Sequence, residues 1–339
     1  MAQSLAVKYR PTDFEDVCSQ KSIIKILERM LTTKNYANCI EFAGPSGCGK
    51  TTLARILGNK INNGKGTINE IDGASNNGVE NIRQIIDDAK LRSIDSEYKI
   101  YIIDECHMIT TAGWNAFLKC LEDTPTYTIF MFCTTNPEKI PATIQNRVMR
   151  LNLSKVDTTL IKNRLEYICN QEGYTNYIEA CDYISKLSNG GVRDAIAYLE
   201  KAANYSTDLS IDNVLNCLGN FSYDSFFNLT GAILNNDEAF VLETIEEYYN
   251  SGNDLKLFVE QYLDFVLDLT KYCLFKNMRV VKIPLSLESR CERYSSINDI
   301  LELSNKLVDN VLNVKNTIRY DINNKTTIEA MFIKMCRGL

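Results

Sequence analysis

The sequence predicts an α/β protein built on a parallel β-sheet and followed by a long helical region. Between residues 40 and 135, four apolar runs alternate with segments of helical spacing, which is typical of a parallel sheet covered on both faces. A glycine-rich loop joins the first run to the first helix. After about residue 154 only helical patterns follow. We therefore expect an α/β domain, a small helical domain and a helical C-terminal domain.

The predicted elements follow one another in a regular order. Apolar residues at helical intervals come after each of the first three runs, as at Val79, Ile82 and Ile86. Beyond residue 154 the patterns are amphipathic, and an Asn-Gly-Gly sequence at 189–191 ends one of the helices. The strands are IEFAG (40–44), TINEIDG (67–73), YKIYIID (98–104) and TIFMFCTT (128–135), and the later helices are TTLIKNRLEYICNQEG (158–173), NYIEACDYISKLSNGG (176–191) and RDAIAYLEKAANY (193–205).

Composition and charge exclude several classes of protein. The chain of 339 residues carries a net charge of −6, without the basic excess of proteins that bind nucleic acid through a broad surface. Any DNA contact must therefore be local or spread over several copies. No apolar run approaches the ~18 residues of a membrane span, and the N-terminus lacks the apolar segment of a leader peptide. We expect a cytoplasmic protein without a membrane partner.

The cysteines predict buried thiols rather than a metal site. Of the 12 cysteines the closest pair, Cys39 and Cys48, is nine residues apart, and no C-x-x-C sequence occurs. Paired spacings are the signature of zinc sites, so a zinc module is disfavoured.

The loop GPSGCGKT at residues 44–51 matches the phosphate-binding pattern G-x-x-x-x-G-K-[ST] between a predicted strand and a predicted helix. Its glycines let backbone N–H groups surround phosphate oxygens, and the helix N-terminus adds partial positive charge. Lys50 is predicted to reach the β- and γ-phosphates and the Thr51 hydroxyl to bind Mg²⁺. The sequence therefore predicts nucleotide binding.

The letters DECH at residues 104–107 follow the third apolar run and allow three interpretations. A metal site is disfavoured, because His107 is the single histidine and has no paired cysteine. A DExH helicase needs a second α/β domain; this alternative is disfavoured but stays open. The upstream phosphate loop favours an ATPase strand, with Asp104 directed towards Mg²⁺, partly through water, and Glu105 pointing the other way to orient the attacking water.

Six segments together resemble the AAA+ ATPase subunits of sliding-clamp loaders, most closely the gamma/tau subunits of bacterial DNA polymerase III and more distantly the small subunits of replication factor C. The similarity covers about residues 4–205 in order and spacing. It implies an AAA+ P-loop ATPase core over 1–154, a helical lid over 155–208 and an all-helical oligomerisation (collar) domain over 209–339. The segments are KYRPTDFEDVCSQ (8–20), GPSGCGKTTLARIL (44–57), EIDGASNNGVENIR (70–83), IIDECHMITTAGWNAFLKCLED (102–123), CTTNPEKIPATIQNR (133–147) and SNGGVRDAIAYLE (188–200).

The resemblance also implies site residues, with ATP and Mg²⁺ as ligands. The N-terminal segment would surround the adenine, Thr135 would stand at the sensor 1 position, and Arg193 would touch the γ-phosphate from the sensor 2 position. The residues expected to bind ATP are Tyr9, Arg10, Val17, Gly44, Pro45, Ser46, Gly47, Cys48, Gly49, Lys50, Thr51, Thr52 and Arg193; those expected to act in hydrolysis are Lys50, Asp104, Glu105, Thr135, Arg193 and, from a neighbouring subunit, Arg147.

Two departures from the family pattern matter. The family has a Ser-Arg-Cys triplet whose arginine enters the neighbouring ATP site, whereas this chain has Asn146-Arg147-Val148, so the arginine is kept and its flanks differ. The bacterial subunits carry a four-cysteine zinc module after the P-loop helix, where this chain has only NNGKG (62–66). We therefore expect no zinc. The short chain and its many Asn, Ile, Lys and Tyr residues favour a phage-encoded or otherwise divergent system.

The implied function is that of an ATPase subunit that opens a sliding clamp and loads it on primer–template DNA. Its partners would be the clamp, the DNA and other loader subunits, in a pentameric assembly containing copies of itself. For DNA contact we expect a helix start at Ser75, Asn76, Asn77 and Arg83. The alternative is an AAA+ DNA motor of the branch-migration or helicase type. A non-catalytic subunit is disfavoured by the intact acidic and P-loop residues.

Overall fold

The structure, a computed structural model, describes residues 3–218, 223–252, 254–295, 300–318 and 324–337. The chain folds into two compact units. One comprises Met1–Ile168 and Ser188–Glu200, and the other comprises Cys169–Leu187 and Lys201–Leu339. Because the units interleave along the chain, the predicted domain borders at residues 154 and 208 stay a prediction.

The first unit contains a fully parallel sheet, as predicted, with five strands where four were expected. The strand order β2-β3-β4-β1-β5 places the first strand in the interior, between β4 and β5. The register pairs Ala43 with Thr134 and Asp72 with Asp104, so the carboxyl ends of four strands meet at one edge. The strands are β1 (Cys39–Ala43), β2 (Ile68–Asp72), β3 (Lys99–Asp104), β4 (Thr128–Thr134) and β5 (Met149–Asn152).

Helices account for most of the remaining described residues. The α-helices are α1 (Leu5–Lys8), α2 (Lys21–Thr33), α3 (Lys50–Ile61), α4 (Val79–Ala89), α5 (Thr111–Glu122), α6 (Ala142–Gln145), α7 (Thr158–Glu172), α8 (Tyr177–Leu187), α9 (Val192–Tyr205), α10 (Ile211–Leu218), α11 (Tyr223–Leu234), α12 (Glu238–Asn250), α13 (Leu255–Phe275), α14 (Glu288–Ser295), α15 (Ile300–Ile318) and α16 (Asn324–Cys336). Short 3₁₀ helices lie at Phe14–Asp16, Cys106–Met108, Pro137–Lys139, Met278–Val280 and Leu285–Leu287.

Helices cover both faces of the sheet, which confirms the interpretation of its apolar strands. On one face, Ile40 and Phe42 of β1 pack with buried residues of α2 and α3. On the other face, Trp114 and Phe117 of α5 pack against Phe132 of β4, with the Trp114 and Phe132 ring centroids 5.5 Å apart. A strand buried on both faces has no solvated side and therefore reads as a continuous apolar run.

Neither α2 nor β5 is among the elements predicted from the sequence. Helix α2 buries Ile23, Leu27 and Met30, whose spacing of four and three residues is a helical signal. Strand β5 is different, because it is a four-residue strand at the sheet edge in which only Leu151 is buried. An edge strand this short has no apolar run, so its pairing with β1 is decided by tertiary contacts.

The second unit has a helical core with many aromatic side chains. Phe258, Tyr262 and Phe265 of α13 are buried and contact Phe226 of α11. The Thr230 hydroxyl lies 3.1 Å from the Tyr262 hydroxyl, which gives this buried phenol a polar partner. Across the described residues, helices that combine the length and apolar character needed to cross a bilayer are absent.

The interior strand β1 buries one carboxyl group that its surroundings leave poorly paired. Glu41 of β1 is 1% exposed, and neither carboxylate oxygen has a hydrogen-bond partner among the described residues. Burial raises the pKa of Glu41, although Arg150, with Nε 3.9 Å from Glu41 Oε1, opposes the shift. The ionised form of this side chain is therefore disfavoured in the native state.

We expect Glu41→Gln to make folding stability less sensitive to pH. Because the native pKa lies above that of the unfolded chain, ~4.3, the native state of the wild type binds the proton more tightly. The contribution of Glu41 to stability is thus largest below the unfolded-state pKa and is lost as the pH rises through the native pKa, whereas glutamine cannot ionise. Urea unfolding at pH 4 and pH 8 should show the variant gaining stability relative to the wild type at pH 8. The exposed Glu28→Gln is the control, and an equal difference at both pH values would contradict the expectation.

Candidate functional site

The phosphate-binding loop joins β1 to α3 at the carboxyl edge of the sheet. Gly47 and Gly49 have φ values of +70° and +105°, in the left-handed region that favours glycine. Helix α3 begins at Lys50, directly after this loop. The Lys50 side chain is buried along the loop, and its ammonium group donates to the carbonyl oxygens of Gly44 and Pro45 at 3.0 and 2.9 Å. A cation and the positive end of a helix therefore face the same space.

A hydroxyl and a carboxylate meet beside this loop. The Thr51 hydroxyl donates to Asp104 Oδ2 at 2.8 Å, and the backbone N–H of Glu105 donates to Asp104 Oδ1 at 3.0 Å. Hydroxyl and carboxylate oxygens are the ligands that Mg²⁺ takes in nucleotide sites. The donor set of Thr51 and Asp104 thus fits a magnesium ion.

Glu105 is not a strand residue, so the expectation that it points away by strand alternation is wrong. Strand β3 ends at Asp104, and Glu105 has a left-handed backbone with φ 45° and ψ 40° at the start of the Cys106–Met108 turn. Its Oε2 accepts from the Thr135 hydroxyl at 3.1 Å and lies 3.2 Å from His107 Nδ1. A left-handed backbone conformation at a residue other than glycine destabilises the fold by about 1 kcal/mol, and such conformations cluster at functional sites.

A cleft with an open volume of about 980 Å³ collects most of the residues expected to bind ATP. Helix α9 contacts the phosphate loop at its first residue: the Val192 backbone N–H donates to the Gly47 carbonyl at 3.1 Å, which places Arg193 at the cleft wall. Thr135 is not among the lining residues and reaches the site through Glu105, and Gly44 and Pro45 also lie outside the lining. The expected residues that line the cleft are Tyr9, Arg10, Val17, Ser46, Gly47, Cys48, Gly49, Lys50, Thr51, Thr52, Asp104, Glu105 and Arg193.

The sequence interpretation missed eight further lining residues, of which three are titratable: Asp16, Cys18 and Arg164. The other five are Ala6, Pro11, Ser19, Val192 and Ile196. Arg164 of α7 donates from Nη2 to the Tyr9 carbonyl at 2.7 Å, and its guanidinium lies 5.3 Å from the Tyr167 ring centroid. Burial raises the pKa of the Cys18 thiol, and Arg164 opposes that shift. Arg164 follows the phosphate loop by more than a hundred residues and belongs to no motif, so only the fold reveals it.

Arg147 lies outside the cleft of its own chain. It follows α6 and is exposed, with Nη2 2.5 Å from Glu122 Oε1 and Nη1 donating to the Thr143 carbonyl at 2.6 Å. The Arg147 side chain therefore lies on the surface and does not contact the phosphate loop of its own chain.

The expectation of a helix that starts at the candidate DNA-contacting residues is wrong for three of the four. Helix α4 begins at Val79, so Ser75, Asn76 and Asn77 belong to the preceding loop. The Ser75 hydroxyl and the Asn76 amide both bond to Asp72, at 2.6 and 3.0 Å, and the Asn77 carbonyl accepts from Thr110. Arg83 is exposed on α4, 2.9 Å from Glu80. The polar groups of Ser75, Asn76 and Asn77 therefore stabilise this loop through hydrogen bonds within the chain.

Comparison with known proteins gives the family. A family model described as the DNA polymerase III delta subunit matches residues 67–157, and one described as domain III of the DNA polymerase III subunits gamma and tau matches residues 209–307. The chain is 32% identical to the tau subunit of DNA polymerase III from Bacillus subtilis (strain 168) over 90% of its own length and 56% of that protein. It is 31% identical to the gamma/tau subunit of Mycoplasma genitalium over 83% of its length and 51% of that protein.

Solved structures agree on the fold. The Holliday junction branch migration motor RuvB of Thermotoga maritima has a TM-score of 0.53 at 19% identity, covering 67% of this chain and 79% of that one. At this identity the likeness concerns the AAA+ fold alone. The chain spans about half the length of the polymerase subunits it matches. By its sequence relatives, its matched domains and its fold, the chain belongs to the AAA+ clamp-loader family of DNA polymerase III gamma and tau subunits.

Proposed function

We propose that this chain binds and hydrolyses ATP as a subunit of a sliding-clamp loader. The observation that carries the proposal is the convergence of Lys50, the Thr51–Asp104 pair and Glu105 at one edge of the sheet, in a chain of the gamma/tau family. ATP phosphates would lie on the N–H groups of the phosphate loop, with Lys50 and Arg193 neutralising their charge. The adenine would lie towards Tyr9, Arg10 and Val17.

Each protein group has a defined task in this proposal. Thr51 and Asp104 would hold Mg²⁺, which supplies positive charge to the phosphate oxygens. Glu105 would orient the attacking water through the carboxylate oxygen that Thr135 does not bind. The exposed Arg147 would complete the ATP site of a neighbouring subunit, as the resemblance implies. No step requires zinc.

ATP binding at such shared sites would set the shape of a ring of subunits, pentameric and built partly of copies of this chain. The ring would open a clamp and hold primer–template DNA, and hydrolysis would release the closed clamp. Ser75, Asn76, Asn77 and Arg83 stay candidates for DNA contact, since small polar groups and one exposed arginine suit phosphates. A replication role implies the cytoplasm, of a host cell if the chain is phage-encoded.

ATPase measurements with and without a clamp and primed DNA test this function. We expect the steady-state rate of the assembled chain to rise severalfold only when clamp and primed DNA are both present. The alternative, a DNA motor, predicts full stimulation by DNA alone. ATP binding without turnover under every condition would contradict both functions.

A further inference from the structure

Gln20 joins two segments that lie beside the phosphate loop. Its side-chain nitrogen Nε2 donates to the Ser154 carbonyl at 2.7 Å, and the Ser154 backbone N–H donates back to Gln20 Oε1 at 3.3 Å. The same nitrogen donates a longer hydrogen bond, of 3.5 Å, to the Cys48 carbonyl inside the loop. A carboxamide nitrogen carries two protons, so it can serve both acceptors at once. Gln20 therefore connects Ser154, just beyond β5, to the phosphate loop.

The backbone of Gln20 is strained, and helix capping does not account for the strain. Gln20 precedes α2 with φ 66° and ψ 31°, in the left-handed region, and its side chain makes no capping hydrogen bond to the helix. A residue in this position usually has an extended backbone and caps the helix with its side chain. Strained conformations persist where surrounding contacts hold them. The contacts that hold the Gln20 side chain are those to Ser154 and Cys48.

The segment that contains Ser154 packs against the start of the phosphate loop. The Leu153 backbone N–H donates to the Ala43 carbonyl at 2.7 Å. Gly44 faces Leu153 so closely that a Cβ atom at Gly44 would lie 2.6 Å from the Leu153 carbonyl oxygen. Gln20 is thus anchored, through Ser154, to a segment in direct contact with the loop.

The contact with Cys48 sets the direction of one peptide group in the loop. In a planar trans peptide, the C=O and the following N–H point in opposite directions. Because the Cys48 carbonyl is turned towards Gln20, the Gly49 N–H is turned to the other side. Gly49 lines the cleft, whereas Gln20 does not. The carboxamide therefore favours a loop whose Gly49 N–H is available to a phosphate oxygen in the cleft.

We infer that Gln20 is a positioning residue for the phosphate loop, acting through its side-chain carboxamide, an inference that rests on the proposed binding of ATP. Gln20 sets the affinity for nucleotide and not the rate of the chemical step. The residues expected to act on the attacking water, Glu105 and Thr135, follow other strands, β3 and β4.

Three substitutions separate the carboxamide from the strained backbone. Gln20→Met keeps the side-chain length and the strain but loses the hydrogen bonds, whereas Gln20→Gly loses the hydrogen bonds and relieves the strain. Lys34→Gly is the matched control, since Lys34 has a left-handed backbone with φ 52° at the other end of α2 and does not line the cleft. We expect both Gln20 variants to bind ATP about tenfold more weakly and Lys34→Gly to keep the wild-type affinity. ADP should lose affinity by the same factor, because the loop N–H groups contact the α- and β-phosphates.

Urea unfolding and single-turnover hydrolysis distinguish positioning from a purely structural role. Gln20→Gly should unfold at a higher urea concentration than Gln20→Met, because glycine adopts the left-handed backbone without strain. The two variants should nevertheless bind ATP equally weakly. At saturating ATP all three variants should hydrolyse it at the wild-type rate.

The order of the affinities decides the inference. Wild-type affinity in Gln20→Gly would overturn it, and so would affinities that follow the order of the urea midpoints, as a purely structural role predicts. Equal weakening in Lys34→Gly, or a slower rate at saturating ATP with an unchanged Kd, would also contradict it. If the wild type binds no ATP, the proposed function fails and this inference with it, whereas normal wild-type binding isolates the role of Gln20.

Discussion

Glu105→Gln should lower ATP turnover by about 10²–10⁴-fold while the affinity for ATP stays nearly constant. The amide keeps the size of the side chain and still accepts from the Thr135 hydroxyl, but it cannot take up the proton of the attacking water. The variant should therefore bind nucleotide and stop before hydrolysis. Fluorescent-nucleotide titration and single-turnover hydrolysis measure the two steps separately.

A matched control for this variant is Glu138→Gln, an exposed glutamate in the Pro137–Lys139 turn that follows the same strand, β4. It carries the same chemical change outside the cleft lining and should hydrolyse ATP at the wild-type rate. Unchanged turnover in Glu105→Gln would remove Glu105 as the residue that orients the water. Lost ATP binding would mean that its carboxylate maintains the cleft instead.

Arg147→Ala should lower hydrolysis by about 10³-fold or more, and the loss should fall in the ATP site of the neighbouring subunit. A guanidinium that enters from the next subunit stabilises the charge that develops on the transferred phosphate, worth about 4 kcal/mol or more. Within its own chain Arg147 pairs with Glu122 and stays out of the cleft lining. Its removal should therefore leave ATP binding by its own subunit intact.

Mixing two inactive variants distinguishes action in trans from action in cis. Arg147→Ala subunits keep a complete cleft, and Glu105→Gln subunits keep the arginine. Mixed assemblies should therefore recover hydrolysis wherever a Glu105→Gln subunit faces an Arg147→Ala subunit. Arg29→Ala, which removes an exposed arginine on α2, is the control and should be active alone. Mixed assemblies that form and stay inactive would contradict the trans role.

Much of the site could be predicted because its parts are encoded locally. The phosphate loop is contiguous from Gly44 to Thr51, and its glycines and lysine have fixed spacing. Asp104 and Thr135 each follow an apolar run, and in a parallel sheet the ends of such runs meet at one edge. The structure brings these residues together, with the Thr51 hydroxyl on Asp104 and the Thr135 hydroxyl on Glu105.

Other features could not be predicted because they depend on contacts between distant segments. The edge strand β5 has one buried side chain and is defined by its pairing with β1. Arg164 reaches the cleft only because α7 packs near the N-terminal segment, where it bonds to the Tyr9 carbonyl. Neither contact leaves a pattern in the residues themselves.

By itself the sequence determined the parallel α/β architecture, the phosphate loop and the acidic pair Asp104 and Glu105, since spacing and apolar periodicity are local properties of the chain. The sensor residues Thr135 and Arg193 were implied by the family resemblance. Only the tertiary structure decided how Glu105 is held. Its left-handed backbone breaks the strand alternation directly after Asp104, the last residue of β3, and its carboxylate meets His107 and Thr135. The last of these contacts bridges 30 residues along the chain, because the fold places the ends of β3 and β4 side by side.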